Sequence, residues 1–281
     1  MIRKCLLTNC ALIVLVLILS GCAAGEEEKK IDGLSELGAI SVISREKGSG
    51  TGNVFAENLD IYDDETKVDL TKEDCQIANS SDEVVDMVAS DPSAIGYVSE
   101  GSIGDTEKQI HRLTVSKDVL NRSFCLAYSG KLSEVEQEFI TYIRSEGQKI
   151  VEKNYETVKK PMTFLSARPA GHITVGGSSS MAGLLQELAD AYSEINPNAE
   201  IEVSATDSSE GLTGVVFGTY DLGMVSRDLK DYESELLESI PIARDVIVVI
   251  VNKENPLEKI SVKDLKEIYT GEITQWQELG Q

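Results

Sequence analysis

Apolar positions along this chain switch between two spacings. From residue 39 on, a short apolar run of strand length is repeatedly followed by a polar turn and then by apolar residues at helical spacing. "AISVIS" (39–44) predicts a buried strand and "GNVFAENL" (52–59) a short helix. In "DEVVDMVASDP" (82–92), Val84, Val85 and Val88 share one helical face and Pro92 stops the helix. "AIGYVS" (94–99) and "FCLAYS" (124–129) predict strands. Residues 133–154 predict a long helix or a helix pair, with Ser133 as N-cap and Glu136 at the capping-box spacing. The pattern then returns. Strands "HITV", "EIEVSA" and "DLGMVS" alternate with a strongly amphipathic helix over 181–195 and a shorter one over 212–219. "DVIVVIVN" (245–252) is a continuous apolar run of the parallel kind that is buried on both faces. "SVKDLKEIYTG" (261–271) is a helix capped by Ser261 and stopped by Gly271. Strands alternating with helices predict an α/β fold with mostly parallel sheets.

Three of the strand-to-helix junctions share a composition. "REKGSGTG" (45–52), "GGSSS" (176–180) and "TDSSEG" (206–211) each put Ser, Thr or Gly where a strand ends and a helix begins. A helix N-terminus offers unpaired N–H donors at the positive end of a dipole. Glycine lets backbone come close to a ligand, and hydroxyls add donors. In open α/β sheets such loops gather at the carboxyl ends of the strands. Three of them with Arg45 form a cage for an oxyanion that needs no metal. Taken singly, each serine also fits a helix cap, as do Ser80 and Ser81 in "ANSSDE".

The N-terminus is a separate matter. Arg3 and Lys4 precede the apolar run "ALIVLVLIL" (11–19), which is too short to span a bilayer comfortably and has signal-peptide flanks. Leu19-Ser20-Gly21-Cys22 resembles a bacterial lipoprotein processing site, in which cleavage precedes the cysteine and its thiol carries the lipid. The polar stretch after Cys22, to residue 37, predicts a solvated tether. Loss of residues 1–21 removes Arg3 and Lys4 but no acid, so the formal charge falls from −22 to −24. A chain so acidic does not bind nucleic acid through its overall field. It can still bind a small anion in a cleft, because salt screens distant carboxylates beyond about 8 Å. Cys75 and Cys125 are too few for a disulfide scaffold and read as unpaired thiols.

An enzymatic reading finds little support. Neither glycine-serine loop has the G-x-S-x-G order of a nucleophile elbow. The two histidines, His111 and His172, read as surface residues, and no His/Cys/Asp set has metal-ligand spacing. No cofactor is implied.

The motifs "ISREKGSGT", "AIGYVSEGSI", "VGGSSSMAGLLQELADAY", "DLGMVSRDL" and "ITQWQEL" together resemble the substrate-binding lipoproteins of bacterial phosphate ABC transporters, across about residues 38–281. The resemblance implies a two-lobe periplasmic-binding-protein-like fold (type II) with a hinge. It implies inorganic phosphate as ligand, ABC permease subunits as partners, and a lipid anchor at Cys22 on the extracellular face of the cell membrane. In better-known members the "GGSSS" half comes first. Here "SREKGSGT" leads, which looks like the circularly permuted arrangement of some Gram-positive members, and the chain reads as complete in that order. One lobe is then continuous, 120–243, and the other joins 38–117 to 245–281, with crossings near Val119–Ser123 and Ala243–Asp245.

By position the resemblance makes Arg45 the charge partner of phosphate. Ser49, Gly50 and Thr51 become hydroxyl and N–H donors, as do Ser179, Ser180 and Ser208. Many members carry an aspartate after the "DFG" or "DLG" strand, where it accepts from a protonated phosphate oxygen and so rejects sulfate. This chain has Ser226 there, with Glu46 as a substitute acceptor if it does not pair with Arg45 or Arg227. Sulfate or molybdate is therefore the alternative ligand. A surface adhesin or phosphate sensor is the alternative outside transport.

Overall fold

The computed structural model describes residues 33–63, 68–103, 108–115 and 120–279. The predicted signal peptide and Cys22 lie outside them. Among the described residues no helix is long and apolar enough to cross a membrane. The last residues read as tether fold onto the protein instead: Leu34–Glu36 form a 3-10 turn, and Leu37 is buried in a core cluster.

In chain order the elements are β1 (Ser41–Arg45), α1 (Gly50–Asn58), β2 (Tyr62–Asp63), β3 (Val68–Asp69), β4 (Gln76–Ala78), α2 (Ser81–Ser90), β5 (Ala94–Ser99) and β6 (Ile110–Val115). There follow β7 (Asn121–Tyr128), α3 (Glu134–Ile143), α4 (Gln148–Val151), β8 (Glu156–Thr157), β9 (Gly171–Ser178), α5 (Ser179–Ile195), β10 (Ala199–Thr206), α6 (Ser208–Phe217), β11 (Leu222–Val225) and α7 (Asp231–Ser234). The chain closes with β12 (Glu238–Asn252), β13 (Lys259–Ile260) and α8 (Val262–Thr270). The expected caps are in place. Ser133 and Glu136 make the capping box of α3, Ser261 caps α8, and Gly271 ends it in the left-handed region.

The main sheet runs β10-β9-β11-β7-β12-β5-β1-β4. Two parallel trios, β10-β9-β11 and β5-β1-β4, lie at its ends. The centre corrects the expectation of mostly parallel sheets, because β12 runs antiparallel to β5, β6, β7 and β8. The run "DVIVVIVN" is part of this strand. Its apolar continuity reports burial on both faces, and strand direction has no such signature. β12 also begins seven residues before that run, at Glu238.

β12 changes partners along its length. It pairs with β7 as far as Val246, opposite Asn121, and with β5 from Ile247. Its one strand thus serves two sets of core residues. The first packs Phe124, Phe139, Leu185, Tyr192 and Met224 with Ile242 and Ala243. The second packs Val42, Phe55, Tyr97 and Leu120 with Ile247, Val249 and Trp276. The described ends meet on the second set: Ala39 bridges Gln275, and the Trp276 N–H donates to the Gly38 carbonyl at 3.0 Å.

Candidate functional site

Four helices begin at one buried cluster of hydroxyls. Thr51 is the second residue of α1, Ser81 the first of α2, Ser179 and Ser180 the first two of α5, and Ser208 the first of α6. Thr51 Oγ1 lies 2.9 Å from Ser180 Oγ, and Ser81 Oγ 3.0 Å from the same atom. Ser178 Oγ donates to Ser226 Oγ at 2.9 Å, and Ser208 Oγ is 3.3 Å from Ser226 Oγ. The Ser226 N–H also donates to Ser208 Oγ. All these serines and Thr51 are buried except Ser179, which is half-buried. Buried hydroxyls are costly unless bonded, and these satisfy one another.

Arg45, at the end of β1, is buried with them. Its backbone N–H donates to Tyr97 Oη, and the Tyr97 ring stacks on Phe55 with centroids 3.7 Å apart. The strand end is thereby locked to α1. The guanidinium donates to Ser179 Oγ at 3.1 Å and to Ser81 Oγ at 3.4 Å. Its other edge grips Glu46 through two bonds of 2.8 Å. Glu46 therefore pairs with Arg45, while Arg227 pairs with Glu233.

Glycines let these elements touch. The Gly177 φ of +133° lies in the region that disfavours side chains, and a Cβ there would meet the Met224 carbonyl oxygen at 2.4 Å. Gly211 packs against it, so α6 sits close on β9 and carries Ser208 into the cluster. A Cβ on Gly50 would stand 2.4 Å from both Ser208 Oγ and Ser226 Oγ.

Of the residues singled out from sequence, Arg45, Gly50, Thr51, Ser179, Ser180, Ser208 and Ser226 meet here. Ser49 is buried in the same loop, but its hydroxyl caps α1, accepting from the Gly52 N–H. The capping role proves right for Ser80 as well, at α2. It does not apply to Ser208, because Asp207 caps α6. Sequence reasoning left out Ser178, treated Ser81 as a cap, and missed Arg122. Ser81 had a signal, being a fourth Ser-rich strand-to-helix junction. Arg122 had none, because nothing local marks an arginine within a strand.

Arg122 is 6% exposed and Asp245 3%, and they face each other across β7 and β12. Arg122 Nη2 and Asp245 Oδ2 are 2.8 Å apart. Burial pushes Arg122 down and Asp245 up, each opposed by the other's charge. Arg122 keeps its charge, since arginine starts far above neutrality. The Cys125 thiol is buried and pushed up to about 12 by burial and then by Asp228; Cys75 is half-buried, and both are free. A cavity of about 300 Å³ lined by Ser80, Ser81, Tyr155, Ser179 and Ser180 opens on the hydroxyls. A larger one, about 880 Å³, follows Arg122 and Asp245, and its lining includes the ion pairs Arg112–Glu100 and Arg244–Glu156.

Among the described residues, His172, Glu200 and Glu202 have ligand atoms within 4.8 Å of one another, which the spacing along the chain did not reveal. They lie exposed on β9 and β10, away from the hydroxyls. His172 is on the surface as expected, whereas His111 on β6 is half-buried.

Four positive helix ends, seven hydroxyls and a guanidinium present donors to a compact, acceptor-rich group. With two parallel-strand units joined across shared strands, this defines a solute-binding protein of the periplasmic-binding-protein-like class. A family model described as a PBP superfamily domain matches residues 163–281. The chain is 34% identical to phosphate-binding protein PstS 2 of Streptococcus agalactiae serotype V, over 94% of this chain and 93% of that protein. It is 36% identical to PstS 2 of Streptococcus pneumoniae serotype 4, over 87% and 89%. The crystal structure of a phosphate-binding protein of a phosphate ABC transporter from S. pneumoniae TIGR4 superposes with a TM-score of 0.68 at 35% identity, over 86% of this chain and all of that one. The chain belongs to the PstS family of phosphate-binding proteins.

Proposed function

We propose that this chain captures inorganic phosphate between its two lobes and delivers it to the permease of an ABC transporter. The observation that carries the reading is the junction of four helix N-termini on one buried set of hydroxyls beside Arg45. Arg45 supplies the charge, partly offset by Glu46. Thr51, Ser81, Ser179, Ser180, Ser208 and Ser226 supply hydroxyls, and Gly50 allows the backbone of α1 to approach. Ser49 acts by holding the first turn of α1. No step of bond making is involved, and the relatives are named as binding proteins. The lobes are taken as 120–243 and 38–117 with 245–281. The adjacency of Ala39 and Gln275 supports the permuted order, since permutation requires ends that lie together. Cys22 carries the lipid that holds the protein at the outer face of the cell membrane.

A second reading concerns the ligand. Ser226 Oγ already accepts from Ser178, and both Glu46 oxygens face Arg45. Asp207 Oδ1 takes the Ser209 and Glu210 N–H groups. Neither Ser226 nor Glu46 is thus left as a dedicated acceptor for a protonated oxygen, which favours tolerance of sulfate or molybdate. Calorimetry of the purified full chain decides. Phosphate at pH 5.5 and 8 should bind with clear heat, and sulfate at pH 8 more weakly. Equal sulfate binding would make the protein a general oxyanion binder, and no heat from either would remove the transport reading.

A further inference from the structure

Arg122 lies outside the family-like loops, on the strand where β7 meets β12, yet its side chain reaches the hydroxyl cluster. Nη1 donates to Thr51 Oγ1 at 2.5 Å. Nε donates to Asp245 Oδ2 at 2.8 Å, and Ser99 Oγ, at the end of β5, donates to Asp245 Oδ1 at 2.9 Å. The guanidinium also stands over the Phe124 ring, 5.0 Å from its centroid. Ser99, Asp245, Arg122, Thr51 and Ser180 thus form one buried chain of polar contacts. It runs from β5 through the strand crossing and α1 to α5.

The direction of these bonds carries information. A guanidinium has five donors and no acceptor. Thr51 Oγ1 must accept from Arg122, so its single proton points elsewhere. Its other hydrogen-bond partner is Ser180 Oγ, 2.9 Å away on the other side of the cleft. Arg45 imposes the same constraint on Ser81 and Ser179. Without Arg122, the Thr51 hydroxyl is free to turn and to present a lone pair to an anion.

We propose that Arg122 is a positioning residue of the anion site: anchored by Asp245 at the strand crossing, it fixes Thr51 as a hydrogen-bond donor into the cleft. Asp245 and Ser99 hold the guanidinium in place, so the crossing strands and the orientation of one ligand-facing hydroxyl are set together. This inference rests on the phosphate-binding reading given above, and its test separates the two.

The test is a double-mutant cycle on the full chain, reading the Kd of inorganic phosphate by calorimetry for wild type, Arg122→Met, Thr51→Val and the double variant. Arg122→Met should weaken phosphate at least about tenfold when Thr51 is present and less than about threefold when it is Val, because the arginine acts through that hydroxyl. Arg122→Met strands the Asp245 carboxylate, so Arg122→Met with Asp245→Leu is measured in parallel; it should melt near wild type and show the same loss of affinity. Arg122→Lys keeps the charge without the fork and should not restore binding. Equal losses in the two Thr51 backgrounds, full rescue by lysine, or an unchanged Kd would overturn the inference while leaving phosphate binding intact. Absence of phosphate binding in wild type would overturn the functional reading and this inference with it.

Discussion

Gly50→Ala should separate binding from folding. Gly50 is the first residue of α1, and its φ lies outside the left-handed region, so alanine fits the backbone. Alanine even favours the helix, by up to about 1 kcal/mol at an interior position and less at this end. The obstacle is across the cleft, where the new Cβ would stand 2.4 Å from Ser208 Oγ and Ser226 Oγ and 3.3 Å from Ser208 Cβ. Ordinary contact needs about 1 Å more. Serine hydroxyls can rotate away, but Ser226 Oγ takes the Ser178 proton and Ser208 Oγ takes the Ser226 N–H. Rotation would leave fully buried groups unpaired, at about 1–3 kcal/mol each. The alternative is to hold the lobes apart, at the roughly 1–3 kcal/mol of an overpacked core. Either route weakens phosphate binding by about 5- to 150-fold. Each core keeps its own packing, so the melting midpoint without ligand should move little. The assay is phosphate calorimetry beside thermal unfolding in phosphate-free buffer. Wild-type affinity in Gly50→Ala would refute the placement of Gly50 against Ser208 and Ser226 in the binding state.

Three further expectations follow from the same geometry. Arg45→Ala removes the cation and leaves the Glu46 carboxylate facing the ligand, so phosphate affinity should fall by more than about 2 kcal/mol, or roughly 30-fold, in a titration at pH 8. Phosphate should compact the protein by closure about the crossing strands; scattering curves that superpose with and without ligand would contradict it. Stability should fall in alkali. Burial raises the Cys125 thiol from 9.0 to about 12, and burial, partly offset by Ser44 and Arg45, raises the Tyr97 hydroxyl from 10.0 to about 12. The folded state therefore keeps protons that the unfolded chain gives up. That contribution is complete below about pH 9 and is lost as pH rises from 9 towards 12, which urea midpoints taken between pH 8 and 11 would record.

Local periodicity determined a good deal about this protein. "AIGYVS" is a strand at the residues expected, and Val84, Val85 and Val88 are buried together on α2. Ser133, Ser261 and Gly271 mark helix ends as their chemistry requires, since caps depend on backbone groups within three or four residues. The Ser/Gly junctions marked most of the site for the same reason, because a donor-rich helix start is itself a local object. Strand direction was not legible: the apolar run at 245–252 shows burial, while its antiparallel pairing depends on partners more than a hundred residues away. Nor was the division of labour among serines. Ser49 and Ser80 cap their helices, and Ser81, Ser178 and Ser208 turn inward, because a cap needs only its own first turn whereas the others answer to groups on distant strands. Arg122 is the clearest case. An arginine in a strand has no local signature, and only the pairing of β7 with β12 sets it beside Asp245 and within reach of Thr51.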